Sequence, residues 1–550
     1  MLYRFKERLL HIQSFALCAA PSAVNGASGR HYYVTERSPL KVSFFDGEPA
    51  NHWNGMETGW RATIGLELHC QIRSGQKLFS GAPFSAHAEV NENVTPFDAA
   101  FPGTLPRLNP HCLAQALRAS LALGCAISAK SAFDRKHYFY NDLPQGYQIT
   151  QHFAPLAVNG KLILGDADGL KDGSRTVSIQ QVQIEQDTGK SLEGDTENDV
   201  LVDLNRAGAG LIEIVTGPDM RSSTEATSFV RKMFLLLDHI GVLAEGGFED
   251  GSLRCDVNVS VGRAEEEGST LGTRCEVKNL NSIKSVGKAI EHEISRQISE
   301  IERGGSIVPE TRGFDPFTET TVPQRNKESA REYRYIPDPD LPPVLLSEHF
   351  IARCRASLPE LPDDLRLRLT QPPYSLSPYI ASLLVNEPGS TDVFERLTKM
   401  LSGDAETSAN WIVGPVFSHL RSDPTTKSLR EKSFGVDMLA EVIKLVKDES
   451  ISNLSGKYLL QRLLDKPLSN SQSVQDVARE LALMQESTGD ELDLLCDELF
   501  RSNQDKIDLI VNKQRHSLIG FFVGTIQQRT NRKYNPKVVD ALVRKRLGVE

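Results

Sequence analysis

No C-x-x-C pair occurs anywhere in the chain: its eight cysteines, Cys18, Cys70, Cys112, Cys125, Cys255, Cys275, Cys354 and Cys496, are scattered. That scatter supports neither a zinc knuckle nor a thioredoxin-like dithiol and fits buried thiols in a reducing compartment. A membrane-spanning helix needs roughly 20 apolar residues in a row. The longest apolar stretches, around 234–243 and 518–526, are short and interrupted, so no integral membrane segment is expected. Also missing are a Walker G-x-x-x-x-G-K-[ST], a Rossmann G-x-G-x-x-G between strand and helix, and a G-x-S-x-G elbow. Nucleotide binding would therefore be of an unusual kind, and the chain does not read as a hydrolase by itself. Lys and Arg number 62 against 72 Asp and Glu, for a net charge of −10. This argues against a surface coated for general nucleic-acid binding but leaves room for a local basic patch.

What is present is a globular composition: 550 residues, 39% hydrophobic and 24% charged. At about 150 residues per domain this length suggests roughly three or four domains. Residues 1–58 differ from the rest. Before position 40, Arg4, Lys6, Arg8, Arg30 and Arg37 outnumber Glu7 and Glu36, and in a helix Leu2, Phe5, Leu9, Ile12 and Ala16 would share a face. A basic, acid-poor, amphipathic leader is what a mitochondrial presequence looks like; an unstructured extension, or sequence upstream of the true start, is the alternative.

From 62 to about 344 the sequence alternates as strands do. Ile64, Leu66, Leu68 and Cys70 fall on one face and Glu67 and His69 on the other. Gln183, Glu185 and Asp187 oppose Val182 and Ile184; Arg254, Asp256 and Asn258 oppose Leu253, Cys255 and Val257; Arg274, Glu276 and Lys278 flank Cys275 and Val277. Helices are predicted from the Ser222/Glu225 capping box to Gly241, from Ser282 to Gly304, and from Pro110 to near Gly124. Strand runs with intervening helices, lacking regular β-α-β alternation, predict an α+β domain with an antiparallel sheet. After the proline-dense 336–343 segment the chain reads as helical to its end. Between 501 and 550, basic residues including Arg529, Arg532, Lys533, Lys537, Arg544, Lys545 and Arg546 outnumber Asp505, Asp508, Asp540 and Glu550. The local basic patch is here.

The polar strand faces bring together acids, one histidine, arginines and a lysine. Carboxylates are what Mg²⁺ needs, and Arg suits phosphate through bidentate contacts. The polar outer face of an ordinary antiparallel sheet explains the same pattern. The stretch 135–149 mixes basic, aromatic and turn residues able to hold a sugar-phosphate and stack a base, as does the group Arg325, Lys327, Arg331, Arg334 and Tyr335. Core aromatics beside a turn, and a solvated charged face, are the alternatives. Ala207-Gly208-Ala209-Gly210 reads as a tight turn or as a turn that approaches phosphate.

Several strings are more specific. I-G-L-E-L-H (64–69), P-G-T-L-P-R-L-N (102–109), R-K-H-Y-F-Y-N-D-L-P-Q-G-Y-Q-I (135–149) and D-L-N-R-A-G (203–208) are followed by L-I-E-I-V (211–215), G-S-L-R-C-D-V-N-V-S (251–260), E-V-K-N-L-N-S (276–282) and R-E-Y-R-Y-I-P-D-P-D-L-P-P (331–343). In this order, they closely resemble the family of B subunits of glutamyl-tRNA(Gln) amidotransferase, in its mitochondrial type. The resemblance implies a catalytic cradle at 59–345, a helical linker at 346–433 and a helical, tRNA-binding tail at 434–550. It implies a glutamine-hydrolysing carbon–nitrogen ligase: ATP and Mg²⁺ serve to phosphorylate the γ-carboxylate of tRNA-bound glutamate, and ammonia from glutamine displaces the phosphate. The implied partners are the amidase, Glu-tRNA(Gln) and a small third subunit, in the mitochondrial matrix. A non-catalytic tRNA-binding scaffold in the same complex is the alternative.

By motif position the resemblance assigns Glu67, His69, Glu185 and Glu213 to metal, the last weakly because alternation places it with Leu211 and Val215. It makes Glu249, Arg254, Asp256, Glu276 and Lys278 catalytic, with Arg254 and Lys278 on the phosphate side, and gives Arg529, Arg532, Lys533 and Lys537 to tRNA. Many bacterial relatives carry a C-x-x-C pair just before P-G-x-L-P, but 95–100 has no cysteine, so no zinc is expected. Gln186 follows Glu185 where relatives often have a second acid.

Overall fold

The computed structural model describes residues 59–550 except 86–87, 172, 195, 197–198, 249, 264–271, 327–331, 423–427, 430–434, 467, 469–471, 486–489, 513–514, 531–533 and 550. The expected leader and the candidates Glu249, Arg532 and Lys533 lie outside the described residues.

The first part of the chain builds a mixed sheet. Its strands and smaller ribbons are β1 (Trp60–Gln71), β2 (Ala126–Ile127), β3 (Lys130–Ser131), β4 (Asp134–His137), β5 (Tyr147–Thr150), β6 (Ala157–Leu164), β7 (Arg175–Gln186) and β8 (Lys190–Glu193). They continue with β9 (Val200–Asp203), β10 (Gly210–Thr216), β11 (Leu253–Arg263), β12 (Cys275–Leu280), β13 (Glu310–Asp315), β14 (Thr320–Asn326), β15 (Ile336–Pro337) and β16 (Val344–Leu345). Nine of them form one sheet in the order β14-β13-β12-β11-β1-β10-β7-β6-β2. β1 is central because its alternation is sustained over most of its twelve residues. Ile64, Leu66, Leu68 and Cys70 are all at most 1% exposed on its core face.

Helices α1 (Pro110–Ala122), α2 (Ser223–His239) and α3 (Ile283–Glu302) pack their apolar stripes into the same core. The sequence signals explain their ends. Asn109 caps α1 ahead of Pro110, and Ser282 caps α3 by accepting from the Ser285 N–H at 3.0 Å. Ser222 accepts from the Glu225 N–H at 3.2 Å, yet the reciprocal half of the expected capping box is not formed. The Glu225 carboxylate instead accepts from the Arg221 N–H at 2.7 Å and pairs with Arg175. One sheet pair, β12 with β13, is parallel, which the antiparallel expectation did not include. A parallel neighbour requires a crossover, and α3 supplies it.

A three-stranded ribbon in the order β15-β4-β5 lies against the end of β7: Gln148 Nε2 donates to Gln186 O at 2.8 Å. From Glu348 to Leu547 the chain is helical, as expected. One apolar cluster gathers residues between Leu365 and Ala478, and another those between Leu492 and Leu547. Lys232 of α2 ties the sheet domain to the helix Pro362–Thr370, reaching Asp168 at 2.9 Å and Asp363 at 2.8 Å. No helix among the described residues is long and apolar enough to cross a membrane.

Candidate active site

The non-core face of β1 carries Glu67 and His69, and the register fixes their neighbours. His69 stands opposite Glu213 on β10 and Arg254 on β11, while Glu67 stands opposite Asp256. One strand further out, Glu213 faces Gln183 and Asn258 faces Glu276. The Glu213 side chain therefore joins the site face, sharing it with Leu211 and Val215.

The candidates gather in two groups, in each of which the ligand-type atoms lie within 4.8 Å of one another: His69, Glu185 and Glu213, and Glu67, Asp256 and Glu276. The four residues assigned to metal thus fall into both groups, with Glu67 beside Asp256 and Glu276. Each group already contains a cation. In the first, His69 Nδ1 meets Glu185 Oε1 at 3.1 Å. In the second, Lys278 Nζ lies 2.6 Å from Asp256 Oδ2 and 3.1 Å from Glu276 Oε1.

Electrostatics follow from that packing. Burial alone would lower the His69 pKa, but Glu185, Glu213 and Asp256 outweigh it and raise it to about 9. Burial would raise Glu185; the His69 hydrogen bond, with Lys136 and Arg254, holds it at about 2. Glu213 is pushed up to about 7, first by burial and then by the Glu185 charge. For Lys278, burial opposes the charge, yet Asp256 and Glu276 keep its pKa above that of an ordinary lysine.

Hydrogen bonds hold the acids in place. Thr150 Oγ1 donates to Glu185 at 3.3 Å, Asn258 Nδ2 to Glu67 at 2.9 Å, and Thr311 Oγ1 to Glu276 at 3.1 Å. Gln183 Nε2 donates to Glu213. Arg254 is anchored by Asp187, 2% exposed, at 2.9 Å, and Gln71 donates to the other Asp187 oxygen at 2.9 Å. The Arg254 Nε is buried without a hydrogen-bond partner, so the fork retains an unspent donor. Alternation alone places Asp187 on a polar face and gives it no role. Lys136, within the 135–149 string, is a site residue that sequence reasoning does not single out. It lies 4.8 Å over the Tyr333 ring, and Glu185 and Glu213 favour its charged form against the cost of burial. The only signal for it is its place in a basic and aromatic string.

The donor sets differ in kind. Glu67, Asp256 and Glu276 offer oxygen only, the set that suits a hard divalent ion such as Mg²⁺. His69, Glu185 and Glu213 offer a mixed set, usable only after the imidazole has lost its proton. With Arg254 and Lys278 alongside, this face can bind and neutralise phosphate oxygens beside carboxylates. No described residue here is set up as a nucleophile. Away from this face, Arg529 pairs with Glu498 at 3.0 Å and Lys537 with Glu449 at 2.5 Å, both at the surface of the helical tail.

Comparison with known proteins identifies the family. The family profile described as the GatB/GatE catalytic domain matches residues 62–352, and the one described as the GatB domain matches 392–547. The chain is 39% identical over 505 residues to the B subunit of the aspartyl/glutamyl-tRNA(Asn/Gln) amidotransferase of Nitrobacter hamburgensis, covering 91% of this chain and 99% of that one. The protein of the same name from Methylobacterium radiotolerans is 40% identical over 491 residues, 89% and 96% of the two chains. That of Brucella suis is 39% identical over 505 residues, 92% and 98%. The chain belongs to the family of tRNA-dependent amidotransferase B subunits, and its mixed sheet is the catalytic domain of that family.

Proposed function

We propose that this chain is the kinase component of a mitochondrial amidotransferase that converts Glu-tRNA(Gln) to Gln-tRNA(Gln). A γ-carboxylate oxygen of the tRNA-bound glutamate attacks the γ-phosphorus of ATP, and ADP leaves with the electrons of the broken P–O bond. Ammonia, released from glutamine by a partner amidase, then attacks the acyl carbon; phosphate leaves and the amide remains. Phosphorylation is required because a carboxylate is a poor electrophile. The transfer itself needs positioning and charge neutralisation more than covalent help.

The observation that carries this reading is the convergence of two carboxylate groups, Arg254 and Lys278 on one face of the sheet. Glu67, Asp256 and Glu276 are the residues that would hold Mg²⁺, which when bound screens the phosphate charge. His69, Glu185 and Glu213 form the second candidate group. Arg254 and Lys278 take phosphate oxygens. Glu249 belongs to the same set by its motif position. The helical tail from 434, through Arg529, Arg532, Lys533 and Lys537, grips tRNA, and a small third subunit completes the complex. A matrix address is supported by the basic, acid-poor stretch before position 40. Mass spectrometry of the mature N-terminus checks it: a chain retaining Met1 in the organelle-free fraction is the contrary result.

The test is reconstitution of the complex with Glu67→Ala or His69→Ala. ATP-dependent Gln-tRNA formation should fall by about 10²-fold or more, the scale of losing a charge-stabilising group, with tRNA binding retained. Wild-type rates in both variants would remove the kinase assignment and leave a tRNA-binding scaffold as the reading.

A further inference from the structure

Two basic and aromatic stretches, 135–149 and the described part of the last string, 332–343, meet in the fold. Arg135 pairs with Ile336 between β4 and β15, and the His137 N–H donates to Tyr333 O at 2.8 Å. The turn after β5 adds its own rings. His152 lies flat on Tyr335, with centroids 3.8 Å apart and planes 8° apart, and Phe153 meets Tyr335 edge-on at 6.2 Å. Tyr333 is the next ring, 6.1 Å from Tyr335. This is not core packing: His152 is exposed and Phe153 is 64% exposed, and within the first string Phe139 is 82% and Tyr140 52% exposed. Core aromatics therefore do not explain the composition of these strings.

The ring cluster is continuous with the acid face. Thr150, two residues before His152, donates to Glu185 at 3.3 Å, and Lys136 lies 4.8 Å over the Tyr333 ring. An exposed arginine, Arg334, lies between the two tyrosines in sequence, its carbonyl facing His137 Nδ1 at 2.9 Å. Exposed rings flanked by cations make a stacking platform for an unpaired base, whose π-face is recognised whatever its edge. In an aminoacyl-tRNA the amino acid is esterified to the terminal ribose, so the base nearest the reacting carboxylate is the terminal one. We propose that His152, Phe153 and Tyr335 stack the 3′-terminal nucleobase of the aminoacylated tRNA, and so hold its amino acid over the acid face. The inference rests on the function proposed above. An open platform suits the end of a strand arriving from solvent better than the adenine of ATP.

The test uses the complex as it copurifies with its partners and a tRNA whose terminal adenosine is replaced by 2-aminopurine riboside. Stacking quenches this probe. Wild-type complex should quench it, and His152→Ala and Phe153→Leu should each relieve the quench. Each should also raise KM for Glu-tRNA about tenfold, the scale of one lost base stack, with KM for ATP unchanged. Phe153→Tyr should behave as wild type. Both sites are exposed, so thermal melts should coincide with wild type. Quenching undiminished in both variants overturns the platform, and a rise confined to KM for ATP assigns the rings to the nucleotide instead. A wild-type complex that makes Gln-tRNA without quenching the probe overturns this inference alone. A wild-type complex that makes no Gln-tRNA overturns the functional reading beneath it.

Discussion

Asp187 shows how much of a site can depend on a residue outside the two acid groups. At 2% exposure it spends one carboxylate oxygen on Arg254 and the other on Gln71, with Arg206 Nε 3.7 Å away. Arg254 is thereby fixed with its buried Nε–H unspent. Asp187→Asn keeps the shape and removes the charge that orients the guanidinium. We expect kcat for Gln-tRNA formation to drop about 10–100-fold, the usual scale for losing an outer partner of a site residue, with KM for tRNA unchanged. Steady-state kinetics decide it: an unchanged kcat means that Arg254 is held without Asp187. Residue roles were legible where a polar residue alternated with apolar ones, as for Glu67 and His69. Glu213 was the hard case, since Leu211 and Val215 on its face made that face look like core. In the fold Leu211 is 1% exposed although it lies on the acid side, in register with Gln71 and Glu185. Hydrophobicity marks burial, and burial occurs on both faces of β10. Lys136 was illegible as a site residue because nothing local indicates that the ribbon of β4 and β5 lies against β7.

At the scale of elements, alternation and capping chemistry located β1, β7, β11 and the helices α1 to α3, since those signals are local. The parallel β12–β13 pair was not legible, because pairing direction depends on where α3 returns the chain. The helix Ala405–Trp411 shows a cap doing two jobs. Asp404 accepts from the Thr407 N–H at 3.0 Å, the N-cap bond, and also pairs with Lys447 from the helix Val436–Lys447. Its pKa is lowered to about 2, first by the Lys447 contact and then by the Thr407 N–H. A depressed carboxylate contributes stability that is present above its unfolded value, about 3.8, and is lost as pH falls through about 2. Asp404→Ala should therefore cost about 1 kcal/mol near neutrality, within the range for N-cap loss. The gap between wild type and variant should close between about pH 4 and pH 2. Thermal or urea melts across that range check it; a gap that persists at the acid end would assign the effect to packing.

The whole molecule separates its charges. Carboxylates concentrate on the sheet face where metal and ATP are proposed to sit, while basic residues outnumber acids after 501, so the net −10 describes neither region. Two of the tail cations are already engaged: Arg529 is paired with Glu498 and Lys537 with Glu449. Such exposed pairs contribute only about 0–1 kcal/mol, because water and salt screen them. Phosphate can therefore displace Glu498 or Glu449 at little cost, and released counterions then favour the tRNA complex. If the tail grips tRNA, Arg529→Glu combined with Lys537→Glu should weaken tRNA binding and flatten its salt dependence. The log K against log [salt] slope should fall by roughly one unit for each phosphate no longer neutralised. Because these residues lie in the tail and the acids on the sheet, kcat at saturating tRNA should stay at the wild-type value. Titrations between low and physiological salt measure the slope. An unchanged slope with unchanged affinity would move the tRNA grip away from Arg529 and Lys537, and a fall in kcat without a change in slope would mean that the tail acts on the chemistry rather than on binding.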